Sequence, residues 1–161
     1  MQIRIGHGYD VHAFGDDPHR PLVLGGVVID GARGLVGHSD ADPIAHACID
    51  AIVGVAGLGD IGTLFPDSDP AHAGADSCAL LEHAVALVHS AGWTIANIDC
   101  TVVLEAPKVS PHREAIQVRL TAAVGAPVTV KAKRGEGLGA IGRGEGIECH
   151  AVALLNSPEG R

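Results

Sequence analysis

Asp10 and His12 set a carboxylate and an imidazole two residues apart in a segment that reads as extended. Alternate residues of a strand point to the same side, so both groups can reach one point. Alone, the pair fits a solvated strand end as well as a metal site. A second group, His38-Ser39-Asp40-Ala41-Asp42-Pro43-Ile44-Ala45-His46, gathers titratable and hydroxyl side chains where a helix should begin. His46 stands four residues after Asp42 and four before Asp50, on one helical face with both. Two imidazoles and one carboxylate are a common catalytic zinc set that leaves a position open for substrate, and Asp10, His12 and His46 would supply it. His38, Ser39 and the free N–H groups of the first helical turn make a natural anion site. The competing reading is a capped helix with an acidic face and one ordinary histidine.

Four further stretches carry polar chemistry. Gly59-Asp60-Ile61-Gly62 and Phe65-Pro66-Asp67-Ser68-Asp69-Pro70 read either as surface turns or as carboxylates and N–H groups offered to a polyol. In Glu105-Ala106-Pro107-Lys108-Val109-Ser110-Pro111, backbone groups could read a flat base and Lys108 could approach a phosphate; a capped loop is the plainer reading. The glycine-rich stretch Lys131–Gly146 formally contains G-x-G-x-x-G at Gly137–Gly142. A dinucleotide fingerprint opens a helix and is followed by an acid about twenty residues on, whereas here more glycines and a strand follow. Lys131, Lys133, Arg134 and Arg143 instead make a small basic loop suited to phosphate, and Glu136 among them could bind a hard cation such as magnesium.

These groups need a scaffold. Gln2–His7 reads as a strand broken by Gly8, and Pro21–Ile29 as a hairpin or bulge around Gly25-Gly26. A helix capped by Ser39-Asp40, with Pro43 in its first turn, should run to about Ala56 and stop at Gly57. The stretch from Gly57 to Ala75 leaves little room for regular structure and has the length of a functional loop. Helices follow over about Asp76–Ser90 and from Ser110-Pro111 to Gly125, with strands at Thr94–Leu104, Val128–Lys131 and Ile147–Leu155. The pattern predicts one domain over residues 1–161, an α+β fold with a mixed β-sheet and helices packed on one face. A sheet covered on one face only favours oligomer formation.

Composition narrows the function classes. With 161 residues the chain can bury roughly two thirds of its unfolded surface. Tyr9, Phe14, Phe65 and Trp93 are the whole aromatic set, so Ala, Val, Leu and Ile must build the core. A formal charge of −8 without a long basic run argues against nonspecific nucleic-acid or membrane binding. Cys48, Cys78, Cys100 and Cys149 form no C-x-x-C pair and read as buried thiols. Met1-Gln2-Ile3-Arg4 has no signal-peptide character and no apolar run is long enough to span a bilayer, so a cytoplasmic protein is expected.

Taken together, Gly6–His12, His38–Asp42 with His46, Gly59–Gly62, Phe65–Asp67, Ala106–Lys108 and Gly142–Gly146 resemble the 2-C-methyl-D-erythritol 2,4-cyclodiphosphate synthase family of the non-mevalonate isoprenoid pathway, in order and over nearly the whole chain. The resemblance implies a homotrimer with active sites between subunits. One subunit would supply Asp10, His12 and His46 for zinc, and His38 and Ser39 at the phosphates. Asp60, Ile61 and Gly62 with Phe65, Pro66, Asp67, Ser68 and Asp69 would hold the methylerythritol part. The neighbour would bring Ala106, Pro107, Lys108, Val109 and Ser110 to cytosine and ribose, and Lys133 and Glu136 to the phosphates, Glu136 with a magnesium or manganese ion. Arg143 would face the trimer axis, where an isoprenoid diphosphate can bind. The substrate would be a cytidine diphosphate, 4-diphosphocytidyl-2-C-methyl-D-erythritol 2-phosphate, cyclised with loss of cytidine monophosphate.

The chain departs from this family's pattern at Lys133-Arg134-Gly135, which stands where a run of threonines usually precedes the glutamate. By the resemblance, Arg134 takes the threonine's catalytic place opposite His38. Ala140-Ile141 likewise replaces a bulkier residue and a threonine beside the axial site. Two other functions fit the same residues: a zinc phosphodiesterase, and a non-catalytic trimer that binds a nucleotide or an isoprenoid diphosphate.

Overall fold

The computed structural model describes residues 1–158. Its backbone is a mixed four-stranded sheet. Strand β1 (Gln2–Ala13) pairs antiparallel with β6 (Gly146–Ser157), β6 antiparallel with β4 (Thr94–Val103), and β4 parallel with β5 (Val128–Lys133). The parallel pair is linked by helix α4 (Arg113–Val124), the crossover that parallel strands require. Strands β2 (Leu22–Leu24) and β3 (Val27–Ile29) form a separate hairpin, turned by Gly25 and Gly26 with φ of 57° and 73°. Positive φ at both central residues is the demand of a tight hairpin turn, and glycine meets it without strain.

Helix α1 (Pro43–Ala56) lies over β1 and β6, and α3 (Ser77–Ser90) packs against both α1 and α4. Nearly every residue of α1 is buried, as expected of a helix apolar on all sides between a sheet and another helix. The helices cover one face of the sheet. Ile95, Ile98, Cys100, Val102, Val128, Val130, Cys149, Ala151 and Leu155 fill that side. The opposite face leaves Ile5, Tyr9, Val11 and Val152 exposed, beside a His7–His150 contact of 3.1 Å. The four cysteines are buried free thiols, with Cys48 Sγ 3.5 Å from Cys100 Sγ.

Two expectations need correction. Gly8 does not break the first strand, which continues through Asp10 and His12. Gly6 and Gly8 face α1 so closely that a Cβ at Gly6 would lie 1.8 Å from the Ala51 carbonyl oxygen, and one at Gly8 1.9 Å from that of Ala47. Glycine here lets helix and strand touch backbone to backbone. The cap of α1 is Asp42, not Ser39-Asp40. Asp42 accepts from Ile44 N and Ala45 N of the helix and from Gly25 N and Gly26 N of the hairpin turn, at 2.7–3.2 Å. Gly57 ends α1 in the left-handed conformation, as expected.

The Gly57–Ala75 stretch contains a one-turn helix, α2 (Ile61–Leu64), and a 3₁₀ turn over Pro70–His72, each capped by an aspartate, Asp60 and Asp69. Another one-turn helix, α5 (Gly139–Gly142), sits inside the glycine-rich stretch and returns directly to β6. No helix among the described residues is long and apolar enough to cross a membrane.

Candidate active site

Strand alternation puts Gly6, Gly8, Asp10 and His12 on the helix-covered side of β1. Past the end of the close glycine contact, Asp10 and His12 meet His46 from the first turn of α1. Asp10 Oδ2 lies 3.0 Å from His12 Nε2 and 3.1 Å from His46 Nδ1, and the two imidazole nitrogens are 3.3 Å apart. Bonds of about 2.0–2.1 Å to a tetrahedral zinc place ligand atoms about 3.3 Å apart, so the triangle has the size such an ion needs. These three residues are the group of possible metal ligands among the described residues.

The tautomer of His12 suits this role. His12 Nδ1 lies 2.7 Å from the Val36 carbonyl oxygen, which can only accept, so its proton sits there and Nε2 offers a lone pair to the triangle's centre. Burial by itself would raise the Asp10 pKa, but the hydrogen bonds and charges of His12 and His46 bring it down to about 2. Burial likewise opposes protonation of His12, yet Asp10 raises its pKa above the usual value.

The triad opens into a cavity of about 380 Å³, also lined by His38, Ser39, Ile61, Gly62, Phe65 and Asp67. His38 is exposed and its Nε2 lies 3.4 Å from the Asp69 carbonyl oxygen. Ser39 is buried, its hydroxyl turned toward His46 and Ser77. Asp60, Pro66, Ser68 and Asp69 lie outside the lining; Asp60 and Asp69 use their carboxylates as caps. Asp50, on the same helix as His46, accepts from Ile61 N at 2.8 Å and so ties the start of α2 to α1. Arg20 donates to the carbonyl oxygens of Gly37 and Ser39 at 3.0 and 2.6 Å, pinning the loop that carries His38.

Sequence reasoning did not single out Arg20, His72, Ser77 or Leu80. His72 and Leu80 line the cavity from the 3₁₀ turn and α3. Their reach depends on how the long loop folds back over α1, and no local spacing reports that.

The remaining candidates gather elsewhere on the chain. Ala106 and Pro107 line a second cavity of about 430 Å³ with Glu105, Arg143 and residues of the 30–33 turn. Lys108 and Ser110 are exposed, whereas the Val109 side chain is 3 % exposed and packed in the core, which leaves its backbone for recognition. Lys133, the last residue of β5, and Arg134 and Glu136, on the loop after it, are exposed. Arg134 forks onto Glu105 Oε1 through Nε and Nη2. Arg143 Nε donates to Glu145 Oε1 at 2.6 Å. The candidate residues therefore fall into two separate groups, one around the metal-type triad and one around the second cavity and the basic loop.

The sequence pattern of the YgbB family matches residues 3–156. A 2-C-methyl-D-erythritol 2,4-cyclodiphosphate synthase of Bordetella petrii is 55% identical over 158 residues, covering 96% of each chain. The fold superposes on the bifunctional IspDF of Campylobacter jejuni with a TM-score of 0.91 at 41% identity, covering 97% of this chain and 42% of that longer one. It matches the CDP complex of IspF from Plasmodium falciparum with a TM-score of 0.83 at 37% identity, covering 98% and 97% of the two chains. Ordered motifs, sheet topology and near-complete coverage agree, and the chain belongs to the YgbB family.

Proposed function

We infer that the chain is an enzyme of the lyase type and carries out the reaction for which its relatives are named, forming 2-C-methyl-D-erythritol 2,4-cyclodiphosphate. The observation that carries this is the Asp10/His12/His46 triangle in the wall of a cavity of about 380 Å³, in a chain 55% identical to such a synthase. In this reaction the substrate's 2-phosphate oxygen forms a bond to the β-phosphorus. The bond from that phosphorus to the bridging oxygen breaks, and cytidine monophosphate leaves with the electron pair.

The nucleophile is already an anion, so the site needs no dedicated base. It must bring two anionic arms together and neutralise charge on the leaving group. Zinc at the triad, with magnesium or manganese near Glu136, would supply Lewis acidity and a template for the phosphates. His38, on the loop that buried Ser39 anchors against His46 and Ser77, holds the phosphate beside the triad, and Ile61, Gly62, Phe65 and Asp67 enclose the polyol. Holding both arms in place contributes several kcal/mol, up to roughly 7–11 in ideal intramolecular cases. Arg134, oriented by Glu105, brings a fixed positive charge to the phosphates in place of a hydroxyl.

The two separate groups on one chain fit an assembly in which the second cavity of one subunit faces the triad of the next. The exposed apolar strip Ile5, Tyr9, Val11 and Val152 gives such an assembly a surface, and a homotrimer is the form proposed. Ala106–Ser110 would then read the cytidine, a role in keeping with the CDP complex of the Plasmodium falciparum relative, and Arg143 would face the axis. A cytoplasmic location fits this reading. The test is incubation of zinc-loaded protein with the cytidylyl substrate and magnesium, followed by phosphorus NMR. Cyclic diphosphate with equimolar cytidine monophosphate is expected. An acyclic phosphate would indicate hydrolysis, and nucleotide binding without turnover a binding protein.

A further inference from the structure

His46 presents Nδ1 to the triad, so a metal there takes the lone pair of that nitrogen. The proton of the neutral ring must then sit on Nε2, and it needs an acceptor. Two hydroxyls stand in range: Ser77 Oγ at 2.8 Å and Ser39 Oγ at 3.1 Å. A hydroxyl is an ambiguous neighbour. It can accept the Nε2 proton, or donate to an Nε2 lone pair and so drive the proton to Nδ1, where the metal must bind.

Asp40 removes the ambiguity. Its Oδ1 accepts from the Ser77 hydroxyl, and its Oδ2 accepts from Ser77 N–H at 3.1 Å. An ionised carboxylate can only accept, so the single hydroxyl proton of Ser77 is committed to Asp40. Ser77 Oγ is left with lone pairs alone facing His46. One takes the Nε2 proton; the other is 3.2 Å from Ser39 Oγ, whose own proton can fill it. Every donor and acceptor in this group then has a partner, with one direction of polarity from His46 through Ser77 to Asp40.

We propose that Asp40 and Ser77 are positioning residues of the metal centre: the aspartate orients the serine hydroxyl, and the serine fixes His46 in the tautomer that binds metal. Neither residue lines the cavity, and Ser77 is fully buried at the start of α3, so both act through His46 rather than on substrate. The inference rests on the metal-centre reading given above. Its physical basis is general: an outer partner that fixes a ligand histidine typically accounts for 10–100-fold in metal affinity.

Asp40→Asn tests the polarity with almost no change of shape. One of the two side-chain positions facing Ser77 becomes an amide NH₂. With the amide oxygen on Ser77 N–H, the NH₂ donates to Ser77 Oγ and turns the serine proton toward His46. Zinc affinity would be measured by competition with a chromogenic chelator for wild type, Asp40→Asn, Ser77→Ala and His12→Ala, beside denaturant unfolding of the metal-free proteins. Nitrogen-15 NMR of the metal-free proteins, at a pH where the rings are neutral, would report which nitrogen of His46 carries the proton.

The expected result is a 10–100-fold loss of zinc affinity in both Asp40→Asn and Ser77→Ala, and a smaller share of the Nε2–H form of His46 in metal-free Asp40→Asn than in wild type, where the Asp10 carboxylate facing Nδ1 competes with Ser77 for the ring proton. An unchanged His46 tautomer together with wild-type zinc affinity in Asp40→Asn would overturn the proposal while leaving the metal centre standing. Zinc binding untouched by His12→Ala would instead overturn the metal centre, and the proposal with it. A variant that loses affinity only in proportion to its loss of fold, with the tautomer unmoved, would also count against the relay.

Discussion

Replacing Gly8 by alanine should disable the metal centre without touching any ligand. The added Cβ would stand 1.9 Å from the Ala47 carbonyl oxygen and 2.7 Å from Ala51 N, both backbone atoms of α1. Real Cβ contacts essentially never fall below 3.0 Å, so strand and helix must part by about 1 Å or more. Asp10 and His12 ride on the strand and His46 on the helix, so their 3.1 and 3.3 Å separations widen by a similar amount. Zinc tolerates about 0.2 Å in its bond lengths, so three-point coordination fails and affinity should fall by at least about 100-fold. Overpacking should also cost roughly 1–3 kcal/mol of stability. Gly54→Ala is the control, since nothing lies within 4 Å of its added Cβ on the exposed side of α1. It should stabilise slightly, by up to about 1 kcal/mol, and leave affinity unchanged. Chelator competition and urea unfolding measure both quantities. Wild-type zinc affinity in Gly8→Ala would refute the reasoning that backbone contact sets the triad.

Other consequences are as direct. In the metal-free protein the raised pKa of His12 contributes stability that is full below its unfolded value of about 6.5 and is lost as pH rises through the folded one. Metal binding needs the neutral ring, so the zinc-induced rise in unfolding midpoint should shrink on acidification through this range while Asp10, held to about 2, stays ionised; thermal melts with and without zinc between pH 5 and 8 check the sign. Asp42→Ala should strip four backbone N–H groups of their acceptor and destabilise the protein by several kcal/mol, at about 1–3 for each buried donor left unpaired, as urea unfolding would show. Arg134→Ala should change stability by only about 1 kcal/mol, because the arginine side chain is largely exposed, yet lower turnover in the phosphorus NMR assay.

How much of this was legible in the sequence differs from element to element. The extent of α1 was readable because Pro43 and Gly57 mark its ends and apolar residues run between them. The triad was readable because period-2 alternation and one helix turn fix the directions of Asp10, His12 and His46. The continuity of β1 was not, because a glycine that breaks a strand and a glycine that admits a helix look identical until the helix is in place. Nor was the cap of α1: Ser39, Asp40 and Asp42 are all good capping residues, and the choice fell to Asp42 because it alone also meets the hairpin turn. Ser77 stayed hidden for a related reason. A serine following an aspartate at a helix start is unremarkable until α3 is laid against α1, 31 residues away from its histidine partner.

The buried cysteines give the molecule a built-in clock. With all four thiols inside, the folded surface is silent to thiol reagents, and each modification event records an opening of the fold. Three of them are placed to time different seams. Cys149 pairs across the sheet with Asp10, and Cys48 follows His46 by two residues, so tagging either requires lifting the layer that carries the triad. Cys78 instead lies under the hairpin, with its sulfur 2.6 Å from where a side chain at Gly26 would begin. Tagging rates resolved by peptide mapping would therefore separate the breathing of the metal-bearing seam from that of the hairpin, and zinc should slow the first far more than the second.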